Sequence, residues 1–276
     1  MRKLLLLLAA LAATPVAMPP ASAQQTVSVD EQAAIADAER RGHLIYAYDQ
    51  AAWHGTDDMV EKVPDYGSRI GGYVVEGPVA APRLFFYDRD TETPRAVYSA
   101  RFEGARLVSS HVYSDNEDRS LSPRLLGMIA ARDLALEAAI AERVSMCSRD
   151  NPNFVVLPPD TPDAPVSVYL LTPQPSARSY AAGGHYRFDI APDGTLAEYR
   201  RFANSCLTLE APQSEVQRAS GMMGVTHLLD PTPTEIHVFT ALASGMPLVV
   251  ATTENSRTWL IRDGHITPFA LSDGEE

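Results

Sequence analysis

The chain has only two cysteines, Cys147 and Cys206, which lie 59 positions apart. In an oxidising compartment two cysteines are more often paired than free, so we predict a disulfide between them. Such a bond would close a long loop and stabilise the fold mainly by constraining the unfolded chain. The alternative is a pair of buried free thiols.

The best-marked hairpin of the sequence lies between the two cysteines. The Pro-Asp-Gly run at 192–194 combines fixed φ, an Asx-type side chain and a residue that tolerates positive φ, which is a strong turn signal. Pairing Ile190 with Thr195 places Tyr186 opposite Tyr199 and separates an apolar face from a charged one. We expect the charged face to meet water; it carries His185, Arg187, Asp189, Glu198 and Arg200.

Three segments have helix signals. Ser122 followed by Pro123 is typical of a helix start, and the Ala-, Leu- and Glu-rich sequence that follows predicts a long covering helix over about 122–146. A short N-terminal helix is predicted over 28–41, ended by Gly42. A third short helix is predicted over 214–220.

Most other segments alternate like strands and are bounded by Gly, Pro or Asp. Segment 53–58 is predicted to be a loop, and Asp263-Gly264 a hairpin turn. Because the strands neighbour one another as hairpins, the predicted class is α+β, with a mainly antiparallel sheet of hairpins and meanders. The other predicted strands are 43–49, 71–77, 83–88, 95–102, 105–113, 154–157, 166–171, 225–229, 234–242, 247–253, 259–262 and 265–269.

Residues 1–23 have the pattern of a secretory signal peptide: a basic start, a short apolar core and an Ala-Ser-Ala cleavage site at 21–23. The apolar core is too short to span a bilayer, and we expect no membrane span elsewhere. The predicted mature chain, 24–276, is therefore periplasmic or secreted. The proline-rich connection at 158–165 leaves two organisations open: a single unit, or two halves over 24–150 and 151–276.

The net charge of −12 argues against nucleic acid as a partner. An acidic protein repels phosphate backbones, and the sequence contains no basic cluster to offset this. Motifs for nucleotide-binding loops, for serine-hydrolase elbows and for helical zinc sites are absent. We expect no cofactor, and the partner is an unknown small ligand or an envelope protein.

Two groups of polar residues are candidates for binding or acid-base chemistry. His54 lies beside Asp57 and Asp58, which could orient the imidazole or raise its pKa; a solvated turn is the competing interpretation. On the hairpin, His185 and Asp189 are candidate catalytic groups. Arg187, Glu198 and Arg200 are candidate ligand-binding residues on the same face, although an exposed charge ladder would explain them equally.

Two further candidates involve a metal and a nucleophile. Glu235 and His237 project to one side of a predicted strand and His227 lies on the preceding one, so the three could hold a metal. Ordinary hydrogen-bonded histidines are the competing interpretation. Ser205, beside Cys206, is a candidate nucleophile because catalytic triads are defined by geometry, not by sequence order.

The leading hypothesis is a secreted or periplasmic, non-catalytic protein that binds a ligand or an envelope partner. The signal peptide, the disulfide and the missing catalytic motifs favour it. The alternative is a periplasmic hydrolase that uses the pair His185 and Asp189, with Ser205 as nucleophile or with a histidine-bound metal. A purely structural role is the third possibility.

Overall fold

The computed structural model describes residues 26–270, so the predicted signal peptide and the acidic C-terminus lie outside the described residues. It confirms the α+β class. The helices are α1 (Val29–Lys62), α2 (Tyr66–Arg69), α3 (Pro123–Ala141), α4 (Glu215–Ser220) and α5 (Glu235–Ser244). The strands are β1 (Gly72–Glu76), β2 (Arg83–Tyr87), β3 (Ala96–Glu103), β4 (Arg106–Val112), β5 (Asn153–Leu157), β6 (Val166–Leu171), β7 (Ser179–Ala181), β8 (Tyr186–Ile190), β9 (Leu196–Arg201), β10 (Thr208–Glu210), β11 (Met223–His227), β12 (Leu248–Thr252), β13 (Arg257–Arg262) and β14 (His265–Pro268).

Over residues 26–270 the strands form three four-stranded sheets and one short pair. The first sheet is the antiparallel meander β1-β2-β3-β4, and the second is the antiparallel sheet β5-β6-β8-β9. The third has the order β11-β12-β13-β14, and β7 pairs with β10. Strands β11 and β12 are parallel because α5 connects them as a crossover, which the sequence analysis did not predict.

Helix α1 is much longer than the predicted short helix. It begins with the predicted N-cap, Ser28, whose side chain and that of Glu31 form a capping box. The predicted stop at Gly42, the strand at 43–49 and the loop at 53–58 are wrong, since all three are helical. The buried residues recur every three to four positions, but many of them are Ala or Gly, so the apolar stripe is faint in the sequence.

Segment 234–242 was also predicted as a strand and is helix α5. Its first turn is capped by His237, whose Nδ1 accepts a hydrogen bond from the backbone N–H of Thr234 at 3.0 Å. The helix ends at Gly245, which has the left-handed φ of 63° typical of a C-cap glycine. The apolar run of this segment has no clear period because the helix is buried on most sides.

The second sheet is covered on both faces and therefore lies at the centre of the fold. One face packs with α3 in an apolar cluster that includes Met128, Val168 and Phe188. The other face packs with α1, α5 and the first sheet in a cluster that includes Ile45 and Tyr169. None of the helices in the described part of the chain is long and apolar enough to cross a membrane.

The predicted hairpin forms, but with a different register. Phe188 lies opposite Tyr199 and Ile190 opposite Leu196, with an irregularity between Asp189 and Ile190. A bulge of this kind adds a residue to one strand, and turn signals do not reveal it. The charged residues still share one face, as predicted. On the β8 side that face is buried, contrary to the prediction, because α5 and the N-terminal half of α1 cover it. On β9, Glu198 is exposed, as predicted, and Arg200 is half-buried.

The predicted disulfide between Cys147 and Cys206 is present. It joins the segment after α3 to the segment after β9. Gly184 packs directly against it: a Cβ at this glycine would lie 2.5 Å from the Cys147 Sγ atom, and the glycine φ is +74°. The disulfide therefore fixes the chain immediately before His185.

Gly42 lies where α1 crosses α5, and we expect a larger residue there to force the two helices apart. A Cβ at this position would lie 2.5 Å from the Val238 Cβ and 2.9 Å from the Glu235 carbonyl oxygen. Gly42→Ala should lower the free energy of unfolding by about 1–3 kcal/mol, as overpacking does, although alanine is the better helix former. Urea denaturation followed by circular dichroism measures the change.

Gly127 supplies the matched control for this substitution. It is exposed in the middle of α3, and a Cβ there would meet no atom within 4 Å. Gly127→Ala should therefore raise the free energy of unfolding by about 0.5–1 kcal/mol. Similar changes of the same sign in both variants would contradict the close crossing at Gly42.

Candidate functional site

His185 and Asp189 do not form a catalytic pair in the structure. They lie on the same face of the β8 chain with Arg187 between them, four residues apart and so roughly 13 Å along an extended strand. The His185 ring is held by the backbone: its Nδ1 accepts from the Thr172 N–H at 3.2 Å, and its Nε2 lies 3.0 Å from the Ala181 carbonyl oxygen. Burial lowers the pKa of His185 to about 4, so the ring is neutral at pH 7.

Ser205 is exposed. Its carbonyl oxygen approaches Gly183, next to the disulfide. Both ring nitrogens of His185 already face backbone groups, so His185 is not placed to act as a base for the Ser205 hydroxyl. The structure therefore gives no hydrogen bond between His185 and Ser205 and does not support them as a base and its nucleophile.

Arg187 is the centre of a buried ionic network. Its guanidinium donates hydrogen bonds to Asp189, Glu235 and Glu198, each at 3.0 Å. Arg187, Asp189 and Glu235 are 8%, 5% and 5% exposed, whereas Glu198 lies at the solvent edge. A buried arginine with three carboxylate partners holds β8, β9 and the start of α5 together.

Hydroxyl groups extend this network to α1. Ser167 donates to Asp189 at 2.5 Å, and Tyr169 donates to Glu235 at 3.0 Å. Arg41 on α1 in turn donates to the hydroxyl oxygens of Ser167 and Tyr169 at 3.0 and 3.3 Å. The remaining acceptor sites of the two buried carboxylates are thus largely satisfied from within the fold.

Two of the three candidate metal residues, His227 and His237, come together, but Glu235 does not join them in a metal-binding group. His227 lies 2.7 Å from Asp230, which also accepts two hydrogen bonds from Arg200, while Glu235 belongs to the Arg187 network. The His237 ring packs against His227 at 4.7 Å between centroids, and burial lowers the pKa of His237 to about 3. Residues 26–270 contain no group of His, Cys, Asp and Glu placed to hold a metal ion.

His54, Asp57 and Asp58 lie on α1, not in a loop. The His54 ring stacks on Trp53 at 5.0 Å between centroids. Asp57 is exposed, whereas Asp58 accepts a hydrogen bond from the Tyr98 hydroxyl at 2.6 Å and pairs with Lys62 at 2.9 Å. Asp58 therefore connects α1 to the first sheet.

A cleft of about 330 Å³ lies where α1, α5 and the end of β6 meet, and we call it the Asp49 cleft. Helix α1 contributes Asp49, Gln50 and Trp53 to its wall. Helix α5 contributes Phe239, Thr240 and Ala243, and the remaining wall includes Asn153, Gln174, Tyr180 and His185. Concave, mostly apolar walls with a few polar groups are typical of small-molecule sites.

Asp49 has unusual electrostatics for a side chain in such a cleft. Burial raises its pKa from 3.8 to about 6, and only a hydrogen bond from Gln50 acts in the opposite direction. A carboxyl group with this pKa changes charge near neutral pH. Perturbed groups in clefts mark functional sites more often than ordinary surface carboxylates do.

Asp49 does not stand out in the sequence, because segment 43–49 has the alternation of a strand. With Asp49 at the end of a strand and Trp53 in a loop, the sequence does not predict that the two side chains face the same way. In the helix they are spaced i, i+4 and face the same cleft. The four-residue spacing can be read from the sequence, but it places both side chains on one face only if the segment is known to be a helix.

Asp49→Asn should stabilise the protein at pH 7.5 and have little effect near pH 4. The raised pKa means that the native state holds the Asp49 proton more tightly than the unfolded chain does. The wild type therefore loses stability as pH rises from 3.8 through about 6, and the variant does not. Urea denaturation of both proteins at the two pH values measures the difference.

Other titrating groups, including His185 and His237, are common to both proteins and cancel in this difference. An equal effect of the substitution at pH 4 and pH 7.5 would contradict the raised pKa.

Comparison with known proteins gives no further guide to the site. No protein-family model, no curated protein and no solved structure matches this chain. The choice of a functional site therefore rests on the geometry of the Asp49 cleft.

Proposed function

We propose that this chain is an exported ligand-binding protein and that the Asp49 cleft holds a small molecule. The cleft itself carries the proposal: it combines aromatic walls with a few polar groups at the junction of α1, α5 and the second sheet. The disulfide supports export, because such bonds persist in oxidising compartments. The predicted signal peptide agrees with this location.

The buried ionic network supports a binding role over catalysis by the predicted pair. His185 is held by the backbone, and Asp189 is engaged by Arg187 and Ser167. Side chains held by such hydrogen bonds are suited to fixing the shape of a binding site and poorly suited to transferring protons. The network thereby ties α5, which lines the cleft, to β8, the strand that directly follows the cleft residue His185.

Trp53 provides a direct readout of occupancy. The chain has two tryptophans, and the other, Trp259, is fully buried in the third sheet. Trp53 lines the cleft and is 57% exposed, so ligand binding should change its fluorescence. We expect compounds from a screen of envelope metabolites and small aromatics to raise the melting temperature and shift this emission together.

Filling the cleft should abolish this response. Ala243→Phe on α5 places a ring inside the cleft, whereas Ala130→Phe adds the same ring to an exposed position of α3. We expect hits to stabilise the Ala130→Phe variant and not the Ala243→Phe variant. Equal responses of both variants, or a screen without hits, would contradict ligand binding in the cleft.

A hydrolase is the second candidate, and one observation favours it. The Asp49 carboxyl, with its pKa near 6, can both donate and accept a proton inside the cleft. Chromogenic ester, phosphate and glycoside substrates test this candidate. Turnover that disappears in Asp49→Asn would replace the binding proposal, and turnover lost in Ser205→Ala would restore the predicted serine nucleophile.

A further inference from the structure

Asp49 is the only charged side chain that lines the Asp49 cleft within residues 26–270. No lysine, arginine or second carboxylate contributes to its wall, and His185 is neutral at pH 7. Over the same residues Asp49 forms no ion pair; it is hydrogen-bonded to Gln50, and its charge also acts on the nearby Tyr46 and Tyr73 side chains. The carboxylate is thus enclosed without the arginine or lysine partner that several other partly buried acids of residues 26–270 have.

Comparison with the other enclosed carboxylates shows how unusual this is. Asp189 and Glu235 both pair with Arg187, and Asp230 pairs with Arg200. Asp58 pairs with Lys62. Enclosing a carboxylate without a cation is unfavourable, and a cation supplied from outside would relieve that penalty.

Aromatic rings complete the surroundings that a cation would meet. Trp53, Tyr180 and Phe239 line the cleft from α1, β7 and α5. The faces of aromatic rings attract ammonium groups, most strongly where water is partly excluded. The same rings provide apolar surface for the body of a ligand.

From this arrangement we propose that the ligand is an organic amine, whose ammonium group pairs with Asp49 while its apolar body packs against the aromatic walls. The inference rests on the proposed function, since it names the class of molecule that the cleft binds. An anionic ligand would meet the Asp49 charge without any cation to offset it. The net charge of −12 also favours the approach of cations over anions.

Three probes of nearly equal size separate charge from shape: phenethylamine, phenethyl alcohol and phenylacetate. Isothermal titration calorimetry at pH 7.5 measures their affinities for the wild-type protein. We expect the amine to bind at least about tenfold more tightly than the alcohol, because a charge-assisted hydrogen bond is stronger than a neutral one. The anion should bind most weakly.

Two variants assign the preference to Asp49. In Asp49→Asn the advantage of the amine over the alcohol should disappear, while the alcohol keeps its affinity. Asp57→Asn removes the same charge from an exposed position on the same helix and should leave the advantage unchanged. Circular dichroism confirms that both variants are folded.

The outcomes distinguish the inference from the proposed function. Equal binding of amine and alcohol by the wild type would overturn the amine inference and leave ligand binding in the cleft standing. An advantage of the amine that survives in Asp49→Asn would also overturn it. If none of the probes binds and the wider screen finds only uncharged or anionic ligands, the inference fails; if the screen also finds nothing, both fail.

Discussion

Replacing Arg187 with methionine should lower the free energy of unfolding by about 3–5 kcal/mol, the usual loss when one partner of a buried ionic group is removed. Methionine fills much of the arginine volume, so the loss would come mainly from charge. Asp189 and Glu235 would remain buried without a cation, each keeping one hydroxyl donor, from Ser167 and Tyr169 respectively. Guanidinium denaturation at pH 7 measures the change.

Arg106→Met is the matched control for this prediction. Arg106 pairs with Glu103 at the exposed turn between β3 and β4, and its side chain is 67% exposed. Surface pairs of this kind contribute about 1 kcal/mol or less, so the control should unfold close to the wild type. A loss below 1 kcal/mol in Arg187→Met would show that the network contributes little to stability.

Glu198→Gln tests the solvent edge of the same network. It removes only the carboxylate charge that lies at the surface, which we expect to change stability by about 1 kcal/mol or less. The large effect therefore belongs to Arg187 and its two buried partners. If Arg187→Met does not unfold cooperatively, Glu198→Gln still measures how much the ion pair between Arg187 and Glu198 contributes to stability.

The parts of the fold that sequence analysis predicted well have local signals. Ser122 and Pro123 start α3, and Asp263-Gly264 forms the last hairpin turn. The four strands of the first sheet were predicted because turn residues separate alternating segments. The chemistry of each turn or cap acts over a few residues, so neighbouring sequence is sufficient to reveal it.

The parts that were missed depend on contacts distant in sequence. Gly42 resembles a helix stop in the sequence, but it lies within α1, where α5 packs closely against it. The charged face of the hairpin was expected to be exposed, yet Arg187 meets Glu235 from α5 and Ser167 meets Arg41 from α1. No periodicity within one segment reveals which other segment will cover it.

The candidate site followed the same rule. The sequence pattern favours clusters of polar residues, and in the structure most of these residues join one element to another. Asp49 stands alone between Tyr48 and Gln50, and a single acid in an apolar stretch gives no pattern to detect. We selected Asp49 because no cation among residues 26–270 lines the cleft with it, and only the assembled fold shows this.

Removing the disulfide should have the second large effect. Cys147→Ser together with Cys206→Ser should lower the free energy of unfolding by about 4 kcal/mol, the loop-closure entropy for 59 residues. We expect dithiothreitol to reproduce this loss in the wild type and to leave the double variant unchanged. Urea denaturation with and without the reductant measures both effects.

The location of the disulfide adds a functional consequence to this loss. Gly184 packs against Cys147 and precedes His185, which lines the Asp49 cleft. Under conditions where the double variant is still folded, ligands of the cleft should therefore bind more weakly to it than to the wild type. Unchanged affinity would restrict the disulfide to a global role, because the wall of the cleft would then hold its shape without the crosslink. Weaker binding with intact circular dichroism would show that the bond also fixes the His185 segment against the cleft.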